Sequence, residues 1–179
     1  MLEKAGKYLT FKLGDEEYGL EILTVQEIIK LQSITRVPRT PEYVKGVINL
    51  RGKVVPVIYL RGKFGMAEVP ATERTCIIVV QVELRERSVV MGIIVDEVSE
   101  VLDIAGEDIE PPPPFGTTVD TGFIMGMAKS GGTVKILLNI DRVLSVAELE
   151  GLGAVERAAE AADQPGEAGR VARGPAIDS

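Results

Sequence analysis

One stretch of the sequence, Gly46 to Gly65, constrains the fold most. It reads GVINLRGKVVPVIYLRGKFG, in which two apolar runs are joined by the short polar turn Arg51-Gly52-Lys53. An apolar run, a turn with glycine and a second apolar run predict a tight β-hairpin. The hairpin would present Arg51 at a rigid tip. Pro56 has no N–H to donate, which predicts that its strand lies at a sheet edge or at a bulge.

The same pattern recurs once in the chain. The segments that align are 46–54 with 126–134, 57–60 with 137–140, and, without a gap, 19–29 with 92–102. Two blocks that recur in the same order imply two copies of one small β-unit, each burying an apolar face. Arg51 is matched by Gly131, so only the first copy carries a charged tip.

The composition favours β-structure with an aliphatic core. The chain has 179 residues, of which 45% are hydrophobic and only 4% aromatic, and it contains no Trp. This length allows one medium domain or two small ones. The net charge of -7 opposes phosphate binding, and few aromatic side chains are available for base stacking. We therefore expect no nucleic-acid partner.

The remaining segments predict further strands and loops. We expect a hairpin over 7–22, a strand or helical turn over 24–29, a short helix over 42–44, strands over 76–84 and 88–95, a proline-rich loop over 103–121, a helix over 144–152 and a disordered tail over 153–179. The polar connector 66–73 is the predicted boundary between the copies. No apolar run has the length of a membrane span, and the first residues lack a signal-peptide pattern, so we expect a soluble cytoplasmic protein.

The residues that catalysis and metal binding usually need are scarce. The chain has no His and a single Cys, Cys76, which we interpret as a small core hydrophobe. The carboxylate pairs at 16–17, 96–97 and 107–108 are interpreted as solvated charge. We therefore expect a binding protein without a metal or cofactor. A hydrolase using paired carboxylates, with Asp96 or Glu97 essential, is an alternative.

Three long segments make the sequence resemble the CheW family, the coupling proteins of bacterial chemotaxis arrays. They are YLTFKLGDEEYGLEILTVQEII, GVINLRGKVVPVIYLRGKFG and GIIVDEVSEVL, and the resemblance extends from about Lys7 to Leu149. It implies a mainly β fold of two small SH3-like five-stranded β-barrels packed together, with short helices. One domain would then cover residues 1–152, with a first barrel at about 7–65 and a second at about 74–149, and the chain could cross between the barrels.

The resemblance also implies a function and partners. The family has no catalytic activity and couples the signalling tip of methyl-accepting chemoreceptors to the regulatory domain of the histidine kinase CheA. It would act in the cytoplasm, at receptor arrays on the inner face of the membrane, without insertion into the membrane. The receptor-binding positions that carry over are Val25, Glu27, Arg51, Val98 and Val101.

Each of these positions has a simpler interpretation. The three valines could pack in the core, Arg51 could be a solvated tip, and Glu27 could pair with a nearby Lys. Tyr59 departs from the family, which commonly has Asp there, and this puts the geometry of the following turn in question. Two functional alternatives stay open: a small nucleic-acid-binding β-barrel, and an adaptor of a chemotaxis-like pathway with a non-motility output.

Overall fold

The computed structural model describes residues 5–83, 87–112, 122–145, 148–149 and 151–152. The strands are β1 (Gly6–Leu13), β2 (Glu16–Glu21), β3 (Val25–Lys30), β4 (Val44–Leu50), β5 (Lys53–Tyr59), β6 (Cys76–Glu83), β7 (Ser88–Val95), β8 (Glu97–Ile104), β9 (Ile109–Glu110), β10 (Ile124–Ser130) and β11 (Thr133–Leu138). Two short helices, α1 (Leu60–Lys63) and α2 (Ile140–Val143), follow β5 and β11. The predicted mainly β fold with short helices is confirmed.

The described strands form two sheets that each combine strands from both copies of the repeat. One has the order β8-β1-β2-β11-β10-β9 and the other the order β3-β6-β7-β5-β4. The chain passes from the first sheet to the second at the 3-10 turn Ile22–Thr24, and returns at Asp96. The boundaries at about residues 65 and 74 therefore separate the copies along the sequence but do not separate the sheets.

Both sheets close on themselves at equivalent seams. In the five-stranded sheet, the N–H groups of Thr35 and Val47 each donate to the other residue's carbonyl at 2.8 Å. In the six-stranded sheet, Glu110 of β9 pairs with Met127 of β10, the residue that aligns with Val47. The sixth strand is thus the counterpart of the Thr35 bridge. The chain that follows β3, and β9 after β8, thereby close each sheet into a barrel, while β3 and β8 themselves keep one side unpaired among the described strands.

Glycine permits the close approach at the first seam. Gly46 has a φ of 144°, and a Cβ atom at this position would lie 2.0 Å from the Thr35 carbonyl oxygen. No other residue type could place its backbone there without displacing the neighbouring chain. The bulge of β4 lies at this same glycine, and β10 has a bulge at the matching Gly126. The repeat in sequence is therefore a repeat in backbone geometry.

The buried apolar side chains of the described residues form three clusters. One lies within the five-stranded barrel around Ile48, Val57 and Ile77, and another within the six-stranded barrel around Tyr8, Ala128 and Leu137. The third cluster draws on strands of both sheets and holds the barrels together. Its largest fully buried side chains include Phe11, Leu20, Ile58, Ile78 and Ile93. The side chains of β6 alternate between these clusters: every second residue packs in the barrel interior, and the residues between them pack in the shared cluster.

The chain's predicted last helix contributes to the shared cluster. Residues 148, 149, 151 and 152 are helical, and Leu149 and Leu152 are buried in that cluster. A capping box starts the helix: the Ser145 N–H donates to Glu148 Oε1 at 2.8 Å, and the Glu148 N–H donates to Ser145 Oγ at 3.1 Å. Val146 and the predicted tail over 153–179 lie outside the described residues.

Two local predictions are wrong. Residues 42–43 form a turn rather than a helix, because Val44 already begins β4 and pairs with Ile58. Pro56 lies in β5, an interior strand between β7 and β4, and not at a sheet edge. Its missing N–H is tolerated because the parallel pairing of β5 with β7 begins one residue later, at Val57. The segment over 24–29, for which the sequence predicts either a strand or a helical turn, contains the end of a 3-10 turn followed by β3.

The interpretation of the acidic pairs as solvated charge is wrong for Asp96, which pairs with the buried Arg61, and for Glu17. The Glu17 carboxylate lies 2.8 Å from Nζ of Lys135, a lysine that is only 6% exposed. The Lys135 ammonium also donates to Thr133 Oγ1 and to the Ser130 carbonyl. The hydrogen bond from Lys135 lowers the pKa of Glu17 below its ordinary value. The parallel contact between β2 and β11 therefore includes a satisfied ion pair.

Candidate functional site

The predicted hairpin tip is present, and its arginine has an unusual backbone conformation. Arg51 and Gly52 link β4 to β5 with φ angles of 53° and 88°. The matching residues Gly131 and Gly132 have 64° and 82°, so both copies use the same turn. Only glycine adopts this left-handed region without cost. The first copy therefore keeps an arginine side chain at a position where the fold favours glycine.

Arg51 and Glu27 form a two-pronged ion pair. Nη1 of Arg51 donates to Oε1 of Glu27 at 3.2 Å, and Nη2 donates to Oε2. The hydrogen bonds from Arg51 lower the pKa of the Glu27 carboxyl. The Arg51 side chain is 71% exposed despite this pairing. The structure thus brings these two predicted site residues together, and it corrects the alternative in which Glu27 pairs with a lysine.

Val25 and Val98 lie at equivalent positions on two edge strands. Among the described strands, β3 pairs with β6 alone and β8 pairs with β1 alone, so each has a free side. Both valines are half-buried and pack against the cluster shared by the barrels. They occupy matching positions of the gap-free alignment. The structure therefore gives each valine both a core contact and an accessible part.

Val101 lies further along β8 and is 49% exposed, so core packing does not account for it. Its partner in the repeat alignment is Ile28 of β3, which is 44% exposed. The sequence-based list of site residues omits Ile28, although the alignment that pairs Val25 with Val98 also pairs Ile28 with Val101. The two edge strands thus present equivalent exposed apolar side chains.

Tyr59, the departure from the family pattern, leaves the following turn intact. Helix α1 begins at the next residue, and the Phe64 N–H donates to the Leu60 carbonyl at 3.0 Å. In the second copy Asn139 caps α2, with its Oδ1 accepting the Asp141 N–H at 3.1 Å. Tyr59 makes no such cap. Its hydroxyl instead accepts the N–H of Val69 at 3.1 Å, which fixes the connector after α1.

The described residues contain no group of three or more His, Cys, Asp or Glu side chains placed to hold a metal ion. Nor does the described part of the chain include a helix long and apolar enough to cross a membrane. Asp96, the residue on which a hydrolase would depend, is engaged by Arg61 at 2.7 Å. The residues that stand out are those of the exposed strand edges and the arginine tip.

Two packed barrels whose edge strands expose apolar and charged side chains define a protein-binding module. A family model described as the CheW-like domain matches residues 7–148. The chain belongs to this family and is a chemotaxis coupling adaptor. This confirms the family and the adaptor role in chemotaxis that the sequence predicted.

Individual relatives agree with this assignment. The chain is 43% identical over 143 residues to the chemotaxis protein CheW of Klebsiella aerogenes, an alignment that covers 80% of this chain and 84% of the relative. It is 33% identical over 144 residues to the chemotaxis protein CheW of Treponema pallidum, covering 80% and 85%. The crystal structure of the scaffolding protein TtCheW from Thermoanaerobacter tengcongensis has a TM-score of 0.71 at 40% identity, and covers 80% of this chain and 95% of that one.

Proposed function

We propose that this adaptor binds the signalling tip of a chemoreceptor with one surface and the regulatory domain of the histidine kinase CheA with another. It would do so in the cytoplasm, at receptor arrays on the inner face of the membrane. The observation that carries the proposal is the pair of equivalent edge strands, β3 and β8, which expose matching apolar residues beside an arginine tip. Family membership supports the two partners.

The receptor surface, as we define it, consists of the predicted residues Val25, Glu27, Arg51, Val98 and Val101, together with Ile28. A helical receptor tip can lay an apolar face against Ile28 and Val101, since amphipathic helices bind proteins through side chains on successive turns. Both residues are large enough and exposed enough to lose water on such contact. Glu27 and Arg51 would lie at the rim of this apolar area and fix its orientation.

The pairing of Arg51 leaves it able to bind a second group. A guanidinium has five N–H donors, and Glu27 takes two of them. The remaining donors can reach a carbonyl or a carboxylate on the receptor, while Glu27 holds the side chain in one orientation. A non-glycine residue held in a left-handed conformation is a sign of a functional constraint. Arg51 meets this criterion.

The test is a binding titration of the full chain against a receptor signalling-tip fragment and, separately, a CheA regulatory domain. The variant Arg51→Glu should lose receptor binding and retain kinase binding. Lys53→Glu changes the charge of an exposed residue in the same hairpin and serves as the matched control. Binding of the wild type to neither partner, or equal loss of both partners in Arg51→Glu, would contradict the proposal.

A charge swap distinguishes direct contact with the receptor from a role of the ion pair in ordering the hairpin tip. Arg51→Glu also places a second carboxylate beside Glu27, so the single variant destroys the ion pair as well as the guanidinium. The double variant Glu27→Arg with Arg51→Glu restores an ion pair of reversed polarity. Receptor binding that stays lost in the double variant supports direct receptor contact by Arg51, Glu27 or both. Recovery would show that the pair only orders the tip.

An adaptor of a chemotaxis-like pathway with a non-motility output is a second candidate. The chain is also 29% identical over 143 residues to Protein FrzA of Myxococcus xanthus, covering 79% of this chain and 86% of that protein, so the match extends to a relative that is not named CheW. Deletion of the gene followed by a swimming assay distinguishes the two. A strain that swims and steers normally without the protein would favour the second candidate.

A further inference from the structure

A groove runs along one side of the five-stranded barrel, away from the hairpin tip. One bank is the strap, residues 31–42, which closes the barrel after β3. The other bank is the connector, residues 66–75, which leads from α1 to β6. Tyr59 and Lys45 line the groove along its whole length. We name this feature the strap groove.

The strap groove has an apolar part and a polar part. The apolar part is a cavity of about 250 Å³. Its apolar lining is Leu31, Ile34, Val69, Pro70, Ala71 and Ile94. The polar part is a wider cavity of about 580 Å³, lined by Arg36 and Glu42 of the strap among others. An apolar recess next to a few polar groups is the usual composition of a ligand-binding cleft.

Contacts within the groove hold the connector against the floor. The Tyr59 hydroxyl accepts the Val69 N–H of the connector at 3.1 Å. Nζ of Lys45 lies 4.5 Å from the centre of the Tyr59 ring and 2.9 Å from the Glu68 carboxylate. Lys45 therefore links the strand β4 to the connector across the floor. A cleft that is formed before binding costs less ordering entropy when a ligand enters.

The strap carries an excess of positive charge at the groove. The acidic lining residues Glu68 and Asp96 are paired with Lys45 and Arg61, which leaves Glu42 as the acidic lining residue without an ion pair among the described residues. Arg36 and Arg39 of the strap are both exposed, and neither has an ion-pair partner among the described residues. Arginine at the border of an apolar recess favours carboxylate ligands.

We propose that the strap groove binds an extended segment of another protein in which an apolar side chain lies next to carboxylates. The apolar side chain enters the cavity between Ile34 and Val69, and the carboxylates contact Arg36 and Arg39. This surface is separate from the receptor surface and adds a third partner to the two in the proposed function. Tyr59 provides the floor and the contact with the connector.

The test begins with selection of random linear peptides displayed on phage against the full chain. The expected result is a consensus that combines a large apolar residue with Asp or Glu. A synthetic peptide of that consensus should shift the amide resonances of Ile34 and Val69 in a saturable titration. Failure of any consensus to emerge, or shifts confined to other surfaces, would overturn the proposal.

Three variants make the assignment specific. Ala71→Trp fills the apolar part from an exposed position, and the pair Arg36→Glu with Arg39→Glu reverses the charge of the strap. Each should weaken peptide binding by at least about tenfold. Lys53→Glu is the control, because it changes an exposed cation outside the groove and should leave the affinity unchanged.

The same variants are also tested for binding to the receptor fragment and the kinase regulatory domain. The receptor fragment and the kinase regulatory domain should each bind the variants as they bind the wild type. This result also shows that the variants fold. Peptide binding that survives Ala71→Trp would overturn the proposal. So would displacement of the peptide by the kinase domain, because the groove would then belong to the kinase surface.

Discussion

Arg61 of α1 holds Asp96 through two parallel hydrogen bonds, from Nε to Oδ1 at 2.9 Å and from Nη2 to Oδ2 at 2.7 Å. Asp96 is the residue at which the chain returns from the five-stranded to the six-stranded sheet. Its Oδ2 also accepts the N–H of Gly14, in the turn between β1 and β2, at 2.7 Å. One ion pair thus ties the two barrels together at the crossing point.

Removing the charge of Asp96 should destabilise the protein. Arg61 is only 8% exposed, so Asp96→Asn leaves a desolvated guanidinium without its counter-charge. We expect the free energy of unfolding to fall by roughly 3 kcal/mol, measured by urea denaturation. The matched control is Asp103→Asn, whose partner Lys7 lies in a solvent-exposed pair, and it should cost less than about 1 kcal/mol. Equal losses in the two variants would contradict this account.

The ion pair between Arg61 and Asp96 should make the stability of the protein depend on pH. The hydrogen bonds from Arg61 lower the pKa of Asp96 in the folded protein, so the unfolded chain binds the proton more readily. The resulting stabilisation is complete above the unfolded pKa of about 3.9 and is lost as the pH falls through the lower folded value. Asp96→Asn should therefore differ most from the wild type at neutral pH. A difference in urea midpoint that stays constant down to about pH 3 would argue against this.

Arg51→Gly places in the first copy the residue that the second copy has. Glycine adopts the left-handed conformation of this turn without strain, which offsets the greater entropy of the unfolded chain. We expect the thermal midpoint to be unchanged or higher, while affinity for the receptor fragment falls by at least about tenfold. A lower midpoint together with intact receptor binding would show that Arg51 serves the fold and not the partner.

Ile28→Glu and Val101→Glu should each weaken receptor binding by at least about tenfold without changing stability. Both side chains are substantially exposed, so the free energy of unfolding should stay within about 0.5 kcal/mol of the wild type. Val134→Glu is the control, because Val134 is 51% exposed but lies on β11. If Val134→Glu reduces receptor binding equally, exposed apolar area in general, and not the receptor surface, accounts for the effect.

Tyr59→Phe should loosen the connector. The change removes the oxygen that accepts the Val69 N–H and keeps the ring beneath Lys45. We expect faster hydrogen exchange at Val69 and faster proteolysis within residues 66–75, with little change in global stability. The control is Tyr43→Phe, which removes a different hydroxyl, one that hydrogen-bonds to Glu148. It should leave the hydrogen exchange of Val69 unchanged. Unaltered exchange in Tyr59→Phe would show that the hydroxyl does not fix the connector.

The hairpins and the repeat could be predicted because their signals are local. Alternating apolar residues and glycine turns give the strand bounds to within a residue or two, as at β5 and β7. The errors arose where a distant partner decides the outcome. Pro56 is tolerated in an interior strand because of where β7 begins to pair with β5, and Glu17 is an ion-pair partner because β11 lies beside β2.

The sequence by itself determined the paired β-units, the charged tip that only one unit carries, and the family to which the chain belongs. These follow from side-chain period, turn chemistry and motifs, which are properties of contiguous residues. Only the tertiary structure decided that strands cross between barrels, that Arg51 pairs with Glu27, and that Ile28 is as exposed as Val101. Each depends on which distant segments pair, and this is fixed by the packing of the whole chain.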